Sequence, residues 1–92
     1  MLALVRSVSV TLLTKPGCHL CDEARKVVAK VLADIAETDG APSVLLDEQS
    51  ILDDPALVEK YSEEIPVVLI DGRVHNIWRV DPDRFRSALL EV

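Results

Sequence analysis

Aromatic side chains are nearly absent from this 92-residue chain, which holds one Phe, one Trp and one Tyr. A core must be built from Val, Leu, Ile and Ala, and a hydrophobic content of 49% is enough for that. Three glycines and five prolines, without repeats, exclude a collagen-like or low-complexity chain. Basic residues are also scarce: 10 Lys and Arg against 16 Asp and Glu leave a net charge of −6. Nucleic acid and anionic membrane surfaces both need a basic footprint, so neither is expected as a partner. No apolar run approaches the roughly 20 residues of a membrane span. The stretch Met1-Leu2-Ala3-Leu4-Val5-Arg6 has neither a basic leader nor a long apolar core. It does not read as an export signal, and a cytoplasmic location is expected. Residues 1–92 read as a single domain, large enough to bury a core without staples.

Cysteine is scarce as well, but its placement is informative. Cys18 and Cys21 are the only two, in the run Cys18-His19-Leu20-Cys21. Only about 2% of random placements of two cysteines would give this spacing. Two cysteines cannot form a disulfide framework, and a bridge across so short a loop removes little chain entropy. A zinc site needs about four ligands. The remaining candidates are His19 and His75, and His75 falls on a strand far along the chain, so no metal is expected. A dithiol used for redox chemistry remains, as befits a cytosolic pair.

The flanking pattern supports that reading. Val8, Val10, Leu12 and Leu13 mark a strand over residues 7–13. Lys15-Pro16-Gly17 is a turn, and the pair follows it. From Ala24 onward Val27, Val28, Val31, Leu32 and Ile35 trace one face of a helix running from the cysteines to about residue 36. Cys18 is thus expected at a helix N-terminus, where amides and the dipole favour a thiolate. Cys21, one turn further in, is expected on the inner side. Gly40 is expected to cap that helix.

Ser43–Leu46 reads as a short second strand. Asp54-Pro55 is a cap followed by proline, opening a short helix through Tyr61. Pro66–Ile70 is continuously apolar, as in a central strand buried on both faces. Asp71-Gly72 is a hairpin turn into a strand at 73–79. Asp81-Pro82 repeats the cap-and-proline signal and opens a last helix that turns Phe85, Ala88 and Leu89 inward. The order is β-α-β-α-β-β-α, an α/β fold with a mixed four-stranded sheet and helices on its faces.

With that order, Lys15-Pro16-Gly17-Cys18-His19-Leu20-Cys21, then Ile65-Pro66-Val67-Val68, then the Asp71-Gly72 hairpin, the chain resembles the glutaredoxin-like branch of the thioredoxin superfamily. The resemblance implies a thioredoxin-like, glutaredoxin-type fold and thiol–disulfide exchange. It implies Cys18 as nucleophile, Cys21 as resolving thiol, Pro66 as a cis-proline facing the dithiol, and Ile65 as the residue whose backbone pairs with substrate. Lys15 matches a basic residue that contacts a glutathione carboxylate. His19, as a cation beside Cys18, would favour its thiolate.

Two departures stand out. His19-Leu20 replaces the Pro-Tyr common between the cysteines. Trp78-Arg79 occupies the place of a Gly-Gly pair that closes on glutathione, although Arg79 could meet a carboxylate by a forked hydrogen bond. Weak glutathione use is therefore expected. No cofactor is expected to be bound; glutathione or another low-molecular-weight thiol would serve as co-substrate. The expected partners of a monomeric protein are a disulfide-containing protein or a small thiol, and a reductase. A cluster bridged between two chains through Cys18 stays open by analogy with the family. The competing function is a non-catalytic thioredoxin-fold module whose Trp78, Arg79 and the groove beside Pro66 hold a protein partner.

Overall fold

The computed structural model describes residues 6–92; positions 1–5 of the stretch read above as no export signal lie outside it. The described elements run β1 (Ser7–Thr14), α1 (His19–Ala36), β2 (Ser43–Ser50), α2 (Pro55–Tyr61), β3 (Val67–Ile70), β4 (Arg73–Ile77) and α3 (Pro82–Leu90), with one 3-10 turn at Ile51–Asp53. The sheet has four strands in the order β2-β1-β3-β4. β1 and β2 are parallel, as their helical crossover requires, whereas β3 is antiparallel to both β1 and β4.

Alternation along the strands divides the core. Val8, Val10 and Leu12 of β1 and Val68 of β3 pack with Ala24, Val28, Val31 and Ile35 of α1 and with Phe85 and Leu89 of α3. Their neighbours Leu13 and Val67 join a second cluster with Cys21, Ile51, Tyr61 and Ile65. This second cluster lies under the dithiol.

Three boundaries and one burial pattern differ from the sequence reading. β2 extends to Ser50 rather than Leu46, because Asp47 to Ser50 continue the ladder with Thr11 to Thr14. As an edge strand it needs no apolar face to do so. β4 stops at Ile77 instead of residue 79, where Trp78 turns into the left-handed region at φ 65°. The α1 cap is Glu37, not Gly40; Gly40, at φ 78°, serves the turn beyond it. β3 is fully buried only at Val67 and Val68, while Leu69 and Ile70 are half-buried.

The hairpin and the two proline-led helices follow expectation. Asp71 and Gly72 take φ 49° and 83° between β3 and β4. The Asp71 carboxylate accepts the Ser9 amide at 2.9 Å, tying the turn to β1. Asp54 caps α2 by accepting the Ala56 amide at 2.9 Å, and Asp81 caps α3 by accepting those of Asp83 and Arg84 at 3.0 and 3.2 Å.

Candidate active site

The site is built at the end of β1. Gly17 adopts φ 75°, which lets the chain leave the strand and enter α1 in four residues. Cys18 is the N-cap, with extended backbone, and its Sγ accepts the Cys21 amide N–H at 3.2 Å. The sulfur thus stands where a capping oxygen usually stands, at the positive end of an 18-residue helix. Cys18 is half-buried and packs against the cluster holding Cys21, Tyr61 and Ile65.

Cys21 is fully buried one turn into α1. Burial pushes its thiol up to about 11, the hydrogen bond with Cys18 adds to this, and the Lys15 backbone and Arg25 charge act against it. Both cysteines are free thiols. The arrangement is therefore asymmetric: one accessible sulfur at the helix start and one shielded thiol behind it.

The remaining expected site residues fall on three sides. The Ile65-Pro66 peptide is cis, and both residues are buried beside the dithiol cluster. Lys15 and His19 are exposed on the two sides of Cys18 along the chain. Arg79 is exposed with Leu20, Ile77 and Trp78 around a groove of about 460 Å³. A comparable groove of about 430 Å³ lies between the other end of α1 and the start of β2, lined by Leu32, Ile35 and Pro42, with no thiol or charged side chain among the described residues that line it. No helix among the described residues is long and apolar enough to cross a membrane. No group of three or more metal-ligating side chains occurs among them either.

A family description, the glutaredoxin-like domain DUF836, matches residues 9–90. The chain belongs to this glutaredoxin-like family. A protein of Mycobacterium tuberculosis is 35% identical over 82 residues, which span 87% of this chain and 80% of the relative. A solved structure from Xanthomonas campestris, described as X. campestris XcR50, is 28% identical with TM-score 0.68, covering 90% of this chain and 97% of its own. A thioredoxin from Halobacterium salinarum shares the fold at TM-score 0.57 and 20% identity, over 91% of this chain and 73% of that one. These findings establish a glutaredoxin-like domain with a thioredoxin-like fold.

Two features of this glutaredoxin-like site escape a reading of the sequence. The first is an ionic bridge behind Cys21. Arg25 donates from Nε and Nη2 to the two carboxylate oxygens of Glu48 at 2.7 and 2.8 Å, and from Nη1 to Asp22 at 2.6 Å. Glu48 also accepts the hydroxyl of buried Thr14 at 3.1 Å. The Arg25 guanidinium, helped by that hydroxyl, holds the Glu48 carboxyl below its usual range despite partial burial. The bridge fastens α1 to β2 beside the turn that carries the dithiol. Its sequence signals are only the local ones: Arg25 stands three residues after Asp22 and four after Cys21 on the same side of the helix.

The second is Trp78. Its amide donates to the Pro66 carbonyl at 2.8 Å and its indole Nε1–H to the Glu63 carbonyl at 3.0 Å. The following turn is held by the Asn76 side chain, which donates to the Arg79 carbonyl.

Proposed function

We propose that the chain is a dithiol–disulfide oxidoreductase of the glutaredoxin-like kind. One observation carries this reading: a half-buried Cys18 sulfur at the start of α1 accepts the amide of a fully buried Cys21. In the exchange, the Cys18 thiolate attacks a substrate disulfide. An S–S bond to Cys18 forms, the substrate S–S bond breaks, and the first product leaves as a thiolate that takes up a proton. Cys21 then loses its proton and attacks the Cys18 sulfur. The second product leaves as a thiol, and Cys18–Cys21 is left as a disulfide. Two electrons pass from the protein dithiol to the substrate.

Substrate recognition in this reading uses the backbone at Ile65, positioned by Pro66, with Lys15 and Arg79 as cations and the His19 imidazole as a polar group around the nucleophile. The oxidised protein is recharged by glutathione, another low-molecular-weight thiol or a reductase. The protein acts as a monomer in the cytoplasm on a protein disulfide or a small disulfide. The bulk of Trp78-Arg79 weighs against glutathione as the preferred substrate.

A second reading, a binding module without turnover, is favoured by the exposure of Trp78 and Leu20 beside the dithiol. An insulin-reduction assay separates the two. Turnover that Cys18→Ser abolishes supports the oxidoreductase; a folded wild-type protein that reduces neither insulin nor a small disulfide supports the module.

A further inference from the structure

Among the described non-glycine residues, only Asp71 and Trp78 have positive φ. Asp71 sits in the hairpin turn, where such a conformation is ordinary. Trp78, at φ 65°, does not, and a bulky side chain rarely adopts this backbone. What it achieves there is a double attachment. The amide and the indole N–H of one residue reach the Pro66 and Glu63 carbonyls, the two ends of the segment that leads from α2 into β3. Ile65 lies inside that segment. Ile77, the residue before Trp78, packs on the same cluster as Cys18 and Ile65. The position of Trp78 is therefore coupled directly to the Glu63–Pro66 segment, whose Ile65 belongs to the cluster that Cys18 packs against.

Trp78 nevertheless stays 52% exposed, and Leu20, two residues beyond Cys18, stays 37% exposed. A ring fixed by its own N–H has little freedom to lose when something covers its face. Arg79, beside it on the groove, forms no ion pair among the described residues. The surface next to the reactive sulfur thus has an apolar wall, Leu20 and Trp78, with the Arg79 guanidinium and the Glu23 carboxylate along its rim.

We propose that Trp78 positions the Ile65–Pro66 edge and, with Leu20, determines specificity by packing against an apolar residue that flanks the disulfide of an extended peptide substrate. This rests on the exchange function above and deepens it. An acidic group one or two residues further along such a peptide would meet Arg79. Glutathione disulfide has no apolar side chain to cover the wall.

The test compares single-turnover reduction, by the reduced protein, of two disulfides: a peptide pair with Leu or Phe beside the cysteine, and glutathione disulfide. Wild type should prefer the peptide by about tenfold, the worth of one partly buried apolar side chain. Trp78→Gly, which suits the left-handed backbone, should lose that preference. Trp78→Phe keeps an apolar ring but lacks the Nε1–H donor. It should retain the preference and lower the saturating rate several-fold at an unchanged half-saturating concentration. Equal effects of both variants on both disulfides, or no effect of either, would overturn the proposal. If wild type exchanges with neither disulfide, the exchange function fails on its own. Titrating the reduced peptide into Cys18→Ser protein, followed by the fluorescence of the sole tryptophan, then decides the wall. A saturable change with the apolar peptide and none with glutathione upholds it; no change with either overturns it.

Discussion

Cys18 and Cys21 are three residues apart in sequence, yet they differ in access. Cys21 is wholly buried and its thiol is pushed up to about 11, so it stays protonated at neutral pH, while the Cys18 sulfur is half-exposed. In native reduced protein at pH 7, iodoacetamide should modify Cys18 at least about tenfold faster than Cys21, since thiolate and access both control the rate. Mapping the alkylated cysteine by mass spectrometry checks this, and equal rates would remove the division of labour between the two. The raised Cys21 value also bears on stability. The folded protein holds this proton where the unfolded chain, with an ordinary thiol near 9, has released it. The contribution is therefore complete below about pH 9 and is lost as pH rises through about 11. The unfolding free energy of the reduced protein, from urea titration, should fall across that window by an amount on the order of 1–2 kcal/mol beyond any fall seen in Cys21→Ala. Parallel pH profiles for the two proteins would contradict it.

At the scale of elements, α1 is the piece that carries the chemistry, and two kinds of contact fix it. Its apolar face, Ala24 to Ile35, is legible as a helical stripe because buried positions must recur every three or four residues. The Arg25–Glu48 bridge is not legible, because it spans 23 residues and depends on the register of β2 against β1. That register is itself hidden: Asp47 to Ser50 look like a loop, and only the pairing with β1 makes them strand. Glu48→Gln should lower stability by only about 0.5–1 kcal/mol, because the two side chains remain 44% and 37% exposed and solvent screens the pair. Urea unfolding at low and high salt reads this out: the loss should shrink with added salt, and a salt-independent loss would point to packing instead. Cap residues, by contrast, announce themselves through Asp-Pro pairs. Asp81→Ala removes the acceptor for two amides of α3 and should cost about 1 kcal/mol, read as a lower midpoint with an unchanged slope. A midpoint equal to wild type would show that the packing of Phe85 and Leu89 and the Arg86–Asp34 pair hold α3 without the cap.

At the scale of the molecule, the sheet brings residues 18, 21, 65 and 66 to one end because β1 and β3 are hydrogen-bonded neighbours and antiparallel. The turn after β1 and the turn into β3 must then meet. Sequence order, the helical crossover and the two-residue hairpin together point to this topology, and the cysteine spacing locates its working end. What the sequence conceals is the wall of the site. A lone Trp followed by Arg reads as a core or rim aromatic before a docking surface, and only the left-handed turn at Trp78 and its two bonds to the Glu63–Pro66 segment show how it is held. The central claim, that Cys18 and Cys21 form a working redox couple, is tested most directly by a redox titration. The protein is equilibrated across dithiol buffers of known potential, and its free thiols are counted by mass. The account predicts a two-electron transition to an internal Cys18–Cys21 disulfide with a midpoint between about −170 and −280 mV. Two thiols that persist across the whole range, or oxidation only to intermolecular disulfides, would contradict it.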